Sequence, residues 1–276
     1  MRAVPHDLVQ LTERVRAIEQ AGGGGGASAS QVVTGWTAVD AALGGGLVAG
    51  VVHEWFGGEP AGPGQAADEA PPLTVLMHLA RQAMGGGPRG GWCVWVGRGC
   101  WPHPHGLVDE QAAVLERCLW VDPPTAAFRV WAIDLAARCA GVAVVVADGS
   151  GLDMAATRRL QLAAEAGGTL VLLARPAKER VKRSAASTRW AVTPAVSDTN
   201  TPRWELALWR CKGVQQRVGQ EGQQTVWWLE GKHTRGKGLV VIPTAPDDRP
   251  PPEVAPSEAA EPGPASPSVE ARQRRA

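Results

Sequence analysis

Short, largely apolar runs recur through the middle of this chain, at Val51–Trp55 (broken by His53 and Glu54), Trp92–Val96, Leu119–Val121, Val142–Val146 and Thr169–Ala174. Runs of this length bounded by glycine, proline or charge predict strands buried on both faces. Between them the apolar positions change to helical spacing: from Leu73 onward, from about Leu107 to Arg117, from Ala126 to Cys139, and from Asp153 to the paired Gly167 and Gly168. Asp153 supplies an N-cap acceptor, and the glycines supply a left-handed stop. Strand–helix alternation of this kind predicts an α/β fold with a mostly parallel central sheet. Further on the pattern becomes apolar–polar alternation, at Arg189–Val196, Trp204–Arg210 and Thr225–Glu230, which predicts antiparallel strands extending that sheet.

The two ends read differently. Leu8, Leu11, Val15 and Ile18 recur at helical spacing within residues 6–20, and Gly22–Gly26 form a tether behind them. This predicts a short amphipathic helix that packs on its own domain or on another molecule. From Thr244 the chain is Pro, Ala, Glu and Ser with few large apolar groups, a composition expected to stay disordered. The division is therefore an N-terminal helix over 1–21, a Gly/Ser-rich linker over 22–33, a core over 34–243 and a tail over 244–276. No run of about 18 apolar residues is present and the first residues are too polar for a signal peptide, so a cytoplasmic protein without membrane contact is expected.

Between the strand at Val51–Trp55 and the helix from Leu73 lies a Gly/Pro-rich turn, the layout in which backbone N–H groups and a helix N-terminus cradle a phosphate. Gly57 and Gly62 sit where the pattern G-x-x-x-x-G-K-[ST] places its glycines. The next two positions depart from it. Pro63 replaces the phosphate-neutralising lysine, Gly64 replaces the magnesium-binding hydroxyl, and Asp68 and Glu69 add negative charge. The loop is degenerate, and neither ATP nor magnesium is expected as a cofactor.

Composition refines this only slightly. A chain of 276 residues that is 44% hydrophobic can bury a large core, and a net charge of +1 excludes a uniformly basic nucleic-acid binder while leaving room for a local patch. Twelve tryptophans beside two phenylalanines and no tyrosine have no explanation in the sequence. Cys93, Cys100, Cys118, Cys139 and Cys211 are never spaced C-x-x-C and read as reduced thiols, three of them in or beside apolar segments. His103 and His105, in WPHPHG, have no third ligand and read as a surface loop.

The segment TGWTAVDAALGGGL, with Asp40, Leu43, Gly44, Gly45, Gly46, Leu47 and Gly50, resembles the lead-in to the RecA-type recombinase core. The strings RRLQLAAEAGGTLVLLARP, SAASTRW and PRWELALWRCKG, with the loop Trp101–Leu107, are similar to the ImuA family of RecA-like accessory proteins in bacterial mutagenic translesion synthesis, sometimes labelled SulA-like. The resemblance spans roughly residues 34–230. It implies a RecA-like P-loop NTPase-type core in which Asp148 corresponds to the acidic residue that supports magnesium. Gly97, Arg98 and Gly99 stand where such ATPases carry the glutamate that activates water. The partners it implies are an ImuB-like protein, an error-prone DnaE-type polymerase, RecA and single-stranded DNA, with self-association as in RecA. The damage-inducible SOS response is the setting.

The run RPAKERVKR follows the strand Thr169–Ala174, where a RecA core places a DNA-contacting loop. Lys178, Arg180, Lys182 and Arg183 are thus candidate phosphate contacts, against the alternative of a solvated surface loop. Arg210 and Lys212 match basic residues that reach a neighbouring subunit's nucleotide in RecA filaments, or else they cap their strand. Two functions remain open at this point: a non-catalytic accessory protein of error-prone translesion synthesis, and a DNA-dependent P-loop ATPase that modulates RecA-type recombination.

Overall fold

The computed structural model of the protein describes residues 30–57, 71–86, 91–103, 113–195, 197, 201–212, 225–234 and 238–244, all within the unit Met1–Pro246. The expected N-terminal helix, Gly62 with the rest of residues 58–70, residues 107–112 of one expected helix, and the tail beyond Thr244 lie outside them.

The strands are β1 (Gln31–Val32), β2 (Leu47–Val48), β3 (Val52–Gly57), β4 (Trp92–Val96), β5 (Cys118–Val121), β6 (Val142–Asp148), β7 (Leu170–Arg175), β8 (Thr188–Ala195), β9 (Arg203–Cys211), β10 (Thr225–Thr234) and β11 (Gly238–Thr244). The helices are α1 (Thr37–Leu43), α2 (Leu73–Gly86), α3 (Ala113–Glu116), α4 (Ala126–Ala137) and α5 (Met154–Gly167). Nine strands form one sheet in the order β11-β10-β9-β8-β3-β7-β6-β4-β5. From β5 to β8 every neighbour is parallel, and from β8 to β11 every neighbour is antiparallel. The expected mostly parallel sheet with an antiparallel extension is therefore present.

Helices cover both faces. On one, α1 and α2 bury Val39, Leu76, Leu79 and Met84 against Trp55, Trp95 and Leu172. On the other, Ile133 of α4 and Leu160 of α5 meet Val94, Val145 and Val171. Strands packed on both faces read as continuous apolar runs, which is why they were legible. The tryptophans find their reason here. Trp55 and Trp190 are register partners on β3 and β8 and stack with centroids 5.2 Å apart, and Trp95 and Trp120 do the same on β4 and β5 at 5.7 Å. Cross-strand aromatic pairs fill the space under α2 that smaller side chains would leave open.

The lead-in segment is a self-contained clamp. Asp40 Oδ1 accepts from the Thr34 N–H and hydroxyl, each at 2.8 Å, and His78 of α2 bonds the Thr34 carbonyl at 2.8 Å. Gly46 has φ 135°, and a Cβ there would stand 2.4 Å from the Val32 carbonyl oxygen, so the β1–β2 ribbon closes only over glycine.

Several boundaries differ from expectation. β7 extends through Arg175, and β6 runs to Asp148, which closes the strand and whose Oδ1 caps the following turn by accepting from the Ser150 N–H. Both extensions end on charged residues whose side chains are paired, so polarity does not terminate the strand. Of the helix expected near Leu107–Arg117, the described part is only Ala113–Glu116. β11 was not anticipated as a strand, although its residues to Pro243 fall within the expected core. Between β7 and β8 the crossover carries no α-helix, only a 3-10 turn at Ala177–Val181.

Candidate functional site at the carboxyl ends of the parallel strands

In open parallel sheets ligands gather where the strands end at their carboxyl termini. Gly57 closes β3, Gly97 follows β4, Asp148 closes β6 and Arg175 closes β7. Of the three residues expected to contact nucleotide, Gly57 is buried and Asp148 partly buried, while Gly62 lies outside the described residues.

Asp148 is already engaged. Its Oδ2 accepts from Arg129 Nη1 of α4 at 2.8 Å, its Oδ1 from the Ser150 N–H at 2.9 Å, and Arg129 Nη2 donates to the Ser150 carbonyl. The Cys100 thiol points to the carbonyls of Val96 and Gly97 at 3.3 and 3.2 Å. Burial, with the charge of Asp148 behind it, pushes that thiol up to about 12, which keeps it protonated near neutral pH. No group of three His, Cys, Asp or Glu residues able to hold a metal occurs among the described residues. A nucleotide's magnesium needs open carboxylate oxygen or hydroxyl ligands. Asp148 facing a guanidinium, with glycines at 97 and 99, does not fit that ion.

Beside this crevice lies a buried ionic network. Glu54 of β3 and Arg175 are both 0% exposed, with Glu54 Oε1 accepting from Arg175 Nη1 at 2.5 Å and Oε2 from Arg189 Nε at 2.7 Å. Arg175 also donates to Glu179 Oε2 at 2.7 Å and to the Leu152 carbonyl at 2.8 Å. Burial opposes ionisation of Glu179, but hydrogen bonds from Lys182, Arg175 and the Gly151 N–H outweigh it and hold the carboxyl below its usual range. The network pins the β7–β8 crossover to the sheet where a helix would otherwise pack.

That crossover carries the four candidate DNA contacts. Lys182 Nζ is 2.7 Å from Glu179 Oε1, and the Arg180 guanidinium lies over the Trp209 ring at 5.5 Å. Lys178 is exposed on the Ala177–Val181 turn and Arg183 just beyond it. The turn is thus an ordered cationic ledge that Lys182 ties to the network beneath it. Arg210 Nη2 donates to the carbonyls of Ser184 and Ala186, and Lys212 Nζ to that of Ala185, so this pair fastens the crossover from below.

No family model matches the chain. Two curated relatives do, both described as protein ImuA, from Caulobacter vibrioides strains NA1000 / CB15N and ATCC 19089 / CIP 103742 / CB 15. Each is 32% identical over 186 residues, covering 62% of this chain and 73% of the relative. The chain belongs to the ImuA family. Among solved structures, that of the RadB recombinase superposes with a TM-score of 0.52 at 15% identity, over 78% of this chain and all of that one. It shows the RecA-like fold, and the family with the fold places this ImuA homologue in the DNA damage response. No described helix is long and apolar enough to cross a membrane.

Sequence reasoning missed Arg129, Glu54 and Arg189, and it counted Arg175 with the cations of the basic run RPAKERVKR, whereas that side chain is buried in the network. Glu54 left a signal: a carboxylate inside the apolar run VVHEWF must have a buried cation partner somewhere in the chain. Arg129 left none, because an arginine in the first turn of an amphipathic helix looks like a solvated one. Also missed was the outer face of α4, where Phe128, Trp131 and Leu135 are 56%, 54% and 56% exposed.

Proposed function

We propose that this ImuA-family chain is a non-catalytic, RecA-like accessory protein of SOS-induced, error-prone translesion DNA synthesis. It works by contact with an ImuB-like protein, and through it with an error-prone DnaE-type polymerase, RecA and DNA. The observation that carries the reading is the outer face of α4. Phe128, Trp131 and Leu135 follow one another at i, i+3 and i+7, all about half exposed, on a helix whose opposite side is core. Exposed rows of large apolar residues mark protein contacts, and aromatic anchors dominate their energetics. Loss of chemistry agrees with this: the sequence has Pro63 and Gly64 in the phosphate loop, and Asp148 is bonded to Arg129.

The test is co-purification with the ImuB-like protein. Phe128→Ser, Trp131→Ser and Leu135→Ser together are expected to abolish the complex while leaving the circular dichroism and melting temperature of the chain unchanged. A complex of unaltered affinity refutes the assignment of α4. Isothermal titration with Mg–ATP is expected to show no binding in the micromolar range, and turnover stimulated by single-stranded DNA would restore the alternative, a DNA-dependent ATPase modulating recombination.

A further inference from the structure

The carboxylate at the end of β6 is built around a cation that the chain itself supplies. Arg129 enters from the first turn of α4 and makes two contacts at once, Nη1 to Asp148 Oδ2 at 2.8 Å and Nη2 to the Ser150 carbonyl, so one planar guanidinium closes both the carboxylate and the turn behind it. At Gly97 only glycine admits it: the residue has φ 91°, and a Cβ there would lie 3.0 Å from Asp148 Cβ and 3.4 Å from Arg129 Cδ. This glycine, in the segment that the family resemblance aligns with a water-activating carboxylate, thus makes the space in which the guanidinium lies. Asp122, the next acidic group along this edge, is bonded to Arg98 at 2.7 Å and adds no second ligand.

The geometry points to Arg129 as a resident replacement for a divalent cation at Asp148. It neutralises the strand-end carboxylate and fixes the turn from Gly149 to Gly151 permanently, with no bound ion. The consequence reaches further than the pair. The Gly151 N–H donates to both Glu179 oxygens at 3.0 and 3.2 Å, and Glu179 in turn holds Arg175, so the internal cation sets one end of a bonded line that runs from α4 across the strand ends to the β7–β8 crossover. In a nucleotide-responsive core such a line changes with the ligand. Here it has no ligand to wait for. This inference rests on the non-catalytic reading of the crevice, and the experiment separates the two.

The experiment uses the full chain and Mn2+ alone, followed by electron paramagnetic resonance of the free ion and by thermal melting. The wild type is expected to show no Mn2+ binding that Asp148→Asn removes, and no Mn2+-dependent shift in melting temperature. Arg129→Gln, which keeps hydrogen-bonding capacity but removes the charge, is expected to melt lower and to gain Mn2+ binding that raises its melting temperature. Arg129→Gln with Asp148→Asn is expected to lose that gain, and Arg129→Lys, which keeps the charge but not the second contact to the Ser150 carbonyl, to bind no Mn2+ while melting below wild type. Mn2+ binding by the wild type that Asp148→Asn abolishes would overturn the inference, as would an Arg129→Gln chain binding no more Mn2+ than the double variant. If Arg129→Gln does not fold, the comparison of wild type with Asp148→Asn still decides it. ATP turnover by a wild type that ignores Mn2+ at Asp148 would sink the non-catalytic reading and leave this one standing.

Discussion

Glu54→Gln is the substitution whose cost the structure fixes most tightly. Glu54 is wholly buried and divides its two oxygens between Arg175 Nη1 at 2.5 Å and Arg189 Nε at 2.7 Å. A glutamine accepts from only one of them and turns an NH2 toward the other, so a donor faces a donor and both guanidinium charges lose their shared counter-ion. Arg175 keeps Glu179, but Arg189 has no other salt bridge among the described residues, and its Nη2 is buried without a partner. Breaking one side of a buried pair costs about 3–5 kcal/mol, and charges ~4 Å apart at an effective dielectric of ~20 give about 4 kcal/mol, so the two routes agree. Arg175→Met should cost less, about 1–3 kcal/mol, because Glu54 retains Arg189 and Glu179 retains Lys182 and the Gly151 N–H. Urea denaturation near neutral pH reads both as shifts in midpoint at constant slope. The expected order is Glu54→Gln well below Arg175→Met, with little dependence on salt, since the pair is inside the protein. If Glu54→Gln lies within about 1 kcal/mol of wild type, or costs less than Arg175→Met, the network is not the anchor described here.

His53 gives a pH dependence. Burial, offset only in part by its bond to the Val48 carbonyl, lowers its pKa to about 4, so the folded chain keeps it neutral while the unfolded chain protonates it near 6.5. Stability is then full above pH ~6.5 and falls as pH drops toward ~4, by about 3 kcal/mol at 1.36 kcal/mol per unit, and His53→Gln should remove that part of the slope. An unchanged slope refutes it. For the cationic ledge, changing Lys178, Arg180, Lys182 and Arg183 together to Ala should weaken single-stranded DNA binding and reduce its log–log salt slope by about 0.7 for each phosphate that is no longer neutralised. Unaltered affinity and slope would assign the turn to solvent.

How much of this was legible follows from the kind of signal each part leaves. β4 was read at its true boundaries from WCVWV, and α5 from Asp153, whose side chain accepts from the Ala156 N–H at 2.7 Å, and from Gly168, which is left-handed at φ 67°. Such features are local, so the sequence states them. The ionic network is not local. Glu54 and Arg175 are 121 residues apart and meet only because β3 and β7 are neighbours in a sheet whose order the sequence does not state. Arg129 and Asp148 are closer in sequence, but their meeting depends on α4, between β5 and β6, bringing Arg129 over Gly97. The candidate residues chosen by pattern therefore fell in the right region, while their counter-charges stayed hidden. The basic run RPAKERVKR could be counted in advance, but its pairing through Glu179 depends on the 3-10 turn that brings Lys182 back onto that carboxylate.

α4 joins the two halves of the functional reading. Its inner side carries Arg129, which holds Asp148, and Ile133 and Ala137, which are core, while its outer side carries Phe128, Trp131 and Leu135. Phe128 and Arg129 are adjacent residues in the helix's first turn, so they cannot move independently. A protein seated on the outer face acts directly on the element that closes the strand-end carboxylate. In an NTPase of this architecture, state is communicated from a nucleotide outward to partners. Here the charged groups described at the strand ends, Asp148 and Arg175, are bonded within the chain. On the proposed reading, a partner seated on the outer face of α4 reaches the strand-end carboxylate through Phe128 and Arg129, so control of this core runs from the partner inward.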